Sequence, residues 1–133
     1  MNLEQLKTLS NLKFQKSEQT MATIRQREQV LRAELARLRS LVLDTQAQHP
    51  EHSSIRAIGA DVIWLKWIGQ AQQQLTTELA QVLAKKEFYL PQHRRAHGKK
   101  LVAAQLAEDA AKQDKQRLQD DVIQSAIDHS LLE

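Results

Sequence analysis

Residues 14–42 read FQKSEQTMATIRQREQVLRAELARLRSLV, and this stretch decides the fold. Phe14, Met21, Glu28, Leu35 and Val42 fall seven apart, and Ile24, Leu31 and Leu38 each lie three further on. That is the a/d seam of a coiled coil, sustained over about four heptads. The residues between are mostly Gln, Arg, Glu, Ala and Lys, which favour helix and suit a solvated face. Glu28 is the polar exception inside the seam, a position where charge lowers stability and sets register.

Working outward, residues 1–48 contain neither Gly nor Pro, so nothing interrupts the first helix. At about 1.5 Å per residue it should be roughly 70 Å long. Extending the register backwards puts Ser17 and Ser10 in the seam, while Leu3, Leu6, Leu9 and Leu12 run at a spacing of three. The expected result is a register shift near the N-terminus and a looser end there.

The punctuation comes at His49-Pro50-Glu51-His52-Ser53-Ser54. Pro50 disfavours helical geometry at His49, and Ser53 or Ser54 can cap the next helix. A loop this short makes the two helices antiparallel neighbours. The second helix opens with Ile55, Ile58, Val62 and Leu65, then drifts through Ile68, Leu75, Leu79, Val82 and Tyr89. The drift is closer to a 3.6 than a 3.5 period, which predicts relaxed supercoiling. Pro91 removes a helical hydrogen bond and crowds the preceding turn. It either kinks one long helix or opens a turn over residues 91–98 that leads to a third helix; the lack of a turn dipeptide between Gln92 and His97 favours the kink. The expected fold is therefore all-α: a long antiparallel two-helix coiled-coil hairpin, with helix one at about 2–48, a loop at about 49–53 and a longer helix two at about 54–130. A three-helix bundle is the alternative. Beyond Gly98, Leu101, Ala104, Ala111, Leu118 and Val122 make a thin apolar stripe. A second helix that outruns the first is either frayed or waiting for another protein.

Composition bounds the chemistry. The chain has 133 residues, no Cys and 4% aromatics, too few for a thick globular core but enough for a narrow seam. Without Cys there is no disulfide framework, thiol nucleophile or thiolate metal site. The start lacks the basic and apolar regions of a secretory signal, and no apolar run reaches a membrane span, so a soluble, cytoplasmic protein is expected. The net charge of +3 hides a sharper pattern. Residues 85–103 carry six Lys/Arg against one acid, whereas residues 104–133 carry three against seven. The basic girdle of Lys85, Lys86, Arg94, Arg95, Lys99 and Lys100 is either an ordinary solvated face or a docking surface for an acidic partner. Nucleic acid fits poorly, because the adjoining acidic tail repels phosphate.

No constellation points to catalysis, so no enzyme activity and no cofactor are expected. His93 and His97 share a helical spacing used by metal pairs, but Arg94 and Arg95 lie between them and no third ligand is evident. Asp120 and Asp121 are adjacent, so they point apart on a helix and make a poor acid/base dyad. Gly59 and Gly69 make no phosphate-cradling loop; in a helix they are expected to mark close packing. Trp64 and Trp67, three apart, either clamp the hairpin end against Leu35, Leu38 or Val42 or form a partly exposed hot spot for a partner.

A short-looped helical hairpin, the pair in Trp64-Leu65-Lys66-Trp67-Ile68, a Gln/Leu-rich continuation and the terminal run Arg117-Leu118-Gln119-Asp120-Asp121-Val122 together resemble the flagellar export-apparatus stalk family (FliJ-like) and its type III secretion counterparts. The likeness covers most of the chain in layout; Pro91 and the Trp at position 67, typically Tyr, depart from it. The resemblance implies a small stalk that inserts into a hexameric export ATPase, contacts the cytoplasmic domain of the export gate and escorts unloaded secretion chaperones. The end carrying both termini would face the ATPase, and the region of Trp64 and Trp67 would face the gate. The other function class is a generic coiled-coil scaffold or a secretion chaperone. A chaperone of that kind is expected to be an acidic dimer, whereas this chain is mildly basic.

Overall fold

In the computed structural model, the described residues are 2–47 and 55–132, with side chains described for 2–47 and 59–132. They form two helices, α1 (Leu3–Ala47) and α2 (Ile55–Leu131), packed against each other as an all-α hairpin. The expected turn, with His49, Pro50, His52 and the capping Ser53 or Ser54, lies outside the described residues, as do the side chains of Ile55 and Ile58. α1 opens with a reciprocal cap. Asn2 Oδ1 accepts the Gln5 backbone N–H at 2.8 Å, and Gln5 Oε1 accepts the Asn2 N–H at 3.2 Å. Each satisfies a donor that the first helical turn would leave unpaired.

The three-helix alternative does not form: α2 runs unbroken through residues 91–98 with Pro91 inside it. Pro91 has no N–H to give the carbonyl one turn back, but the helix on either side is long enough to carry the lost bond. Packing divides the chain into two compact units, Gln19–Pro91 and Met1–Glu18 with Gln92–Glu133.

In the unit Gln19–Pro91, the α1 seam is the one its heptads predict. Met21, Leu31 and Ile68 are fully buried, and Ile24, Leu35 and Leu38 are nearly so. Burying one such side chain contributes about 1.5–3 kcal/mol, so this row is the main apolar stabilisation of the unit. The α2 side corrects the expected drift. Leu65, Gln72, Leu79 and Lys86 lie seven apart, with Ile68, Leu75 and Val82 three after the first three, and all are sheltered. That is a 3.5 repeat, not 3.6; polar residues at Gln72 and Lys86 hide it from a hydrophobicity pattern. Arg27 to Glu78 at 2.8 Å and Lys86 to Glu28 at 2.9 Å tie the two helices across the seam.

In the other unit the same spacing places His93, Lys100 and Ala107, with Ala96, Ala103 and Ala110, on the sheltered side of α2. Against them α1 sets Ser10, Phe14 and Ser17. The expected N-terminal register shift does not occur: Ser10 is buried, while Leu3, Leu9 and Leu12 are exposed. Small residues on both sides, Ser10 on α1 and Ala103 and Ala107 on α2, give a thin seam with little apolar volume. From Ala111 to Leu131 every residue of α2 is exposed, as is Leu132 just beyond it.

The glycines correct another expectation. A Cβ built at Gly59, Gly69 or Gly98 meets no atom within 4 Å, so none of them marks a close helix approach.

Candidate docking surfaces

Trp64 and Trp67 stand on the flank of the α2 seam, between Asp61, Leu65 and Ile68, which face α1. Three residues of helix bring the two rings to the same side, where they stack with centroids 5.4 Å apart and planes 19° from parallel. The seam does not swallow them: Trp64 is 41% and Trp67 54% exposed, and the neighbouring Val62 and Ile63 are exposed as well. The result is a preordered aromatic patch with two rigid rings and aliphatic neighbours.

The basic girdle proves to be several different environments. Lys86 is not a free surface cation, because its ammonium donates to Glu28 Oε1 and its side chain is mostly covered. That bond, followed by the one from Arg32, holds the Glu28 carboxyl below its ordinary pKa. Lys100 is likewise engaged, its Nζ 4.2 Å above the centre of the Phe14 ring in a cation–π contact. Lys85, Arg94, Arg95 and Lys99 are the exposed remainder.

Arg94 and Arg95 line different hollows in the terminal unit. Arg94 borders one with Phe14, Glu18, His93, His97 and Gly98. There His93 stacks on Phe14 at 5.4 Å and sits between two polar groups: Ser17 Oγ is 2.8 Å from Nδ1, and Glu18 Oε2 is 3.1 Å from Nε2. In a neutral ring this fits Nε2–H donating to the carboxylate and Nδ1 accepting the Ser17 hydroxyl. His97 also packs on Phe14, at 5.3 Å, instead of joining His93 in a metal pair. Among the described residues no cluster of three His, Cys, Asp or Glu is arranged to hold a metal ion.

Arg95 borders the other hollow, a groove of about 460 Å³ whose floor is Leu6, Leu9, Ser10 and Ala96 and whose rim carries Lys13, Arg95 and Lys99. No carboxylate lines it. Sequence reasoning found Arg95 as a charge but missed the groove, because Leu6 and Leu9 gave no sign that α1 would leave them open beside α2. The other missed feature is the row of seam partners Glu28–Lys86, Ser17–His93 and Phe14–Lys100. A heptad count that admitted polar residues would have found it.

Together these features define a class: a two-helix hairpin presenting an aromatic patch, a cationic groove and an exposed helical extension. No helix among the described residues is long and apolar enough to cross a membrane. Comparison with family models, curated proteins and solved structures gives no match.

Proposed function

We propose that this protein is a soluble cytoplasmic component of the flagellar or type III protein export apparatus, acting as a stalk that binds the export ATPase ring and the export gate. It is not an enzyme in this reading. The observation that carries it is the inequality of the helices: a paired segment beyond which α2 continues, exposed, from Ala111 to Leu131. A stalk needs a firm paired section and an end whose surface is completed by its receptor. The stacked, exposed Trp64 and Trp67 support a second contact, with the gate, since rigid aromatic rings are frequent interface anchors. Unloaded secretion chaperones are further partners on this account.

The generic scaffold or secretion chaperone is the competing class, and the exposed apolar residues of the α2 extension favour it equally. Hydrolysis by the cognate ATPase separates the two. A stalk that prefers the assembled ring must raise activity at subunit concentrations too low for spontaneous assembly, and raise it less once the ring is formed. Added salt should weaken the effect if Lys13, Lys85, Arg94 and Arg95 steer an acidic surface. Absence of stimulation and of co-elution at low salt leaves the scaffold.

A further inference from the structure

The groove and the α2 extension are complementary, and both belong to one chain. The groove offers an apolar floor and three cations, Lys13, Arg95 and Lys99, with no acid. From Leu118 to Leu132 the extension carries three aspartates and no Lys or Arg. Its apolar residues have nothing to pack on: Leu118, Val122, Ile123, Ile127 and Leu131 are all exposed.

The spacing adds an orientation. Arg95, Lys99, Val102 and Leu106 occupy one exposed stripe of α2 at alternating steps of four and three residues. Continuing those steps along the same helix leads to Asp120, Ile123 and Ile127, which are exposed too. Between Leu106 and Asp120 the same steps pass Asp109, Gln113 and Gln116, so the stripe is basic at its start, apolar at Val102 and Leu106, polar from Asp109 to Gln116 and acidic-apolar at its end. Turned end for end, a second stripe of this kind sets Asp120 against Arg95 and Lys99 in both halves at once, with Val102 and Leu106 flanking a centre at Asp109. An in-register parallel partner would set like charge against like, and a staggered parallel one would leave ends open. A two-fold pairing of this sort uses the same patch on both chains and closes without leaving a free end.

We infer that the occupant of the groove is a second copy of this chain: α2 pairs antiparallel with α2 of its partner, and residues 118–132 of each copy lie in the groove of the other. Asp120 meets Arg95 and Lys99, and Ile123 and Ile127, which run on towards the N-terminal side of Arg95, lie over Ala96 and Gln92. Among the described residues Arg95, Lys99 and Asp120 make no ion pair within their own chain, so these charges are available. The inference requires only this chain, and because it covers Arg95 and the α2 extension, such a dimer and the ring-bound stalk are alternative states of the same surface.

Sedimentation velocity of the full chain over a hundredfold concentration range, at low and high salt, tests it. The expected result is a reversible dimer that weakens with salt. Arg95→Glu alone and Asp120→Arg alone each lower the association constant at least tenfold, and the double swap restores most of it. Ile123→Asp with Ile127→Asp abolishes the dimer and leaves helicity by circular dichroism unchanged, because both positions are exposed. A monomer at every concentration in low salt overturns the inference and leaves the groove to an acidic helix of another protein. A dimer indifferent to these substitutions, or open-ended polymers, overturns it as well.

Discussion

Glu28 and Lys86 face each other across the helix pair, with Lys86 Nζ donating to Glu28 Oε1 at 2.9 Å, and both occupy seam positions that an ordinary coiled coil gives to aliphatic residues. Arg32 donates to the other carboxylate oxygen, Oε2, at 3.0 Å. A polar pair in a seam is a weak source of stability but a good register pin, because sliding either helix by one turn strands both charges against apolar neighbours.

The pair gives the stability of the unit Gln19–Pro91 a pH dependence with a definite sign. The Glu28 pKa is lowered in the folded chain, first by the Lys86 bond and then by Arg32. The folded state thus binds fewer protons than the unfolded one, and the stabilisation is present above the ordinary carboxylate pKa of 4.5 and lost as pH falls through the lowered value. Melting curves of the natural chain and Glu28→Gln should differ at neutral pH and converge in acid. A gap that does not change between pH 7 and pH 3 would separate Glu28 from this role.

Register specificity is a separate property of the same pair. Replacing Glu28 and Lys86 together by Leu should leave the melting temperature equal or higher, while loosening the alignment. Distances between spin labels placed at residues 20 and 90, read by pulsed electron resonance, should broaden in the double variant and stay narrow in the natural chain. Equally narrow distributions would show that the apolar seam alone fixes alignment.

Leu31 is 1% exposed and Leu43, twelve residues along the same helix, is 65% exposed. Leu31→Ala should cost about 2–4 kcal/mol through lost burial and residual cavity. Leu43→Ala should stay within about 0.5 kcal/mol. Chemical denaturation measures both.

Gly69 and Gly98 sit in helix with open space where a side chain would go. Gly69→Ala and Gly98→Ala should each stabilise the chain by about 0.5–1 kcal/mol, through lower unfolded-state entropy and better helix propensity. A loss of stability at either position would reveal a packing role that the geometry does not contain.

The first helix was legible because its seam is written in Met, Ile and Leu, and the hairpin followed from that seam and one short break. The seam of α2 was not legible. Gln72, Lys86, His93 and Lys100 occupy its inward positions, so hydrophobicity alone reported a drifting 3.6 stripe where the helix holds 3.5. The N-terminal end misled for the complementary reason. Leu3, Leu9 and Leu12 suggested an apolar face, yet Ser10 and Ser17 take the inward positions because Ser17 has His93 to bond and Ser10 fits the Ala-rich part of α2. Trp64, Trp67, Arg94 and Arg95 were legible as residues, but their exposure and their division between surfaces depend on which side of each helix the seam occupies.

Hydrogen exchange of the chain, alone and with the assembled cognate export ATPase, tests the central claim most directly. The stalk account predicts that, at concentrations where the free chain is monomeric, amides of residues 2–18 and 92–132 exchange fast relative to residues 21–42, and slow markedly when the ring is added. Residues 60–70, around Trp64 and Trp67, should be unaffected by the ATPase and slow only with the export-gate domain. A profile left unchanged along the whole chain by the assembled ring would contradict the account.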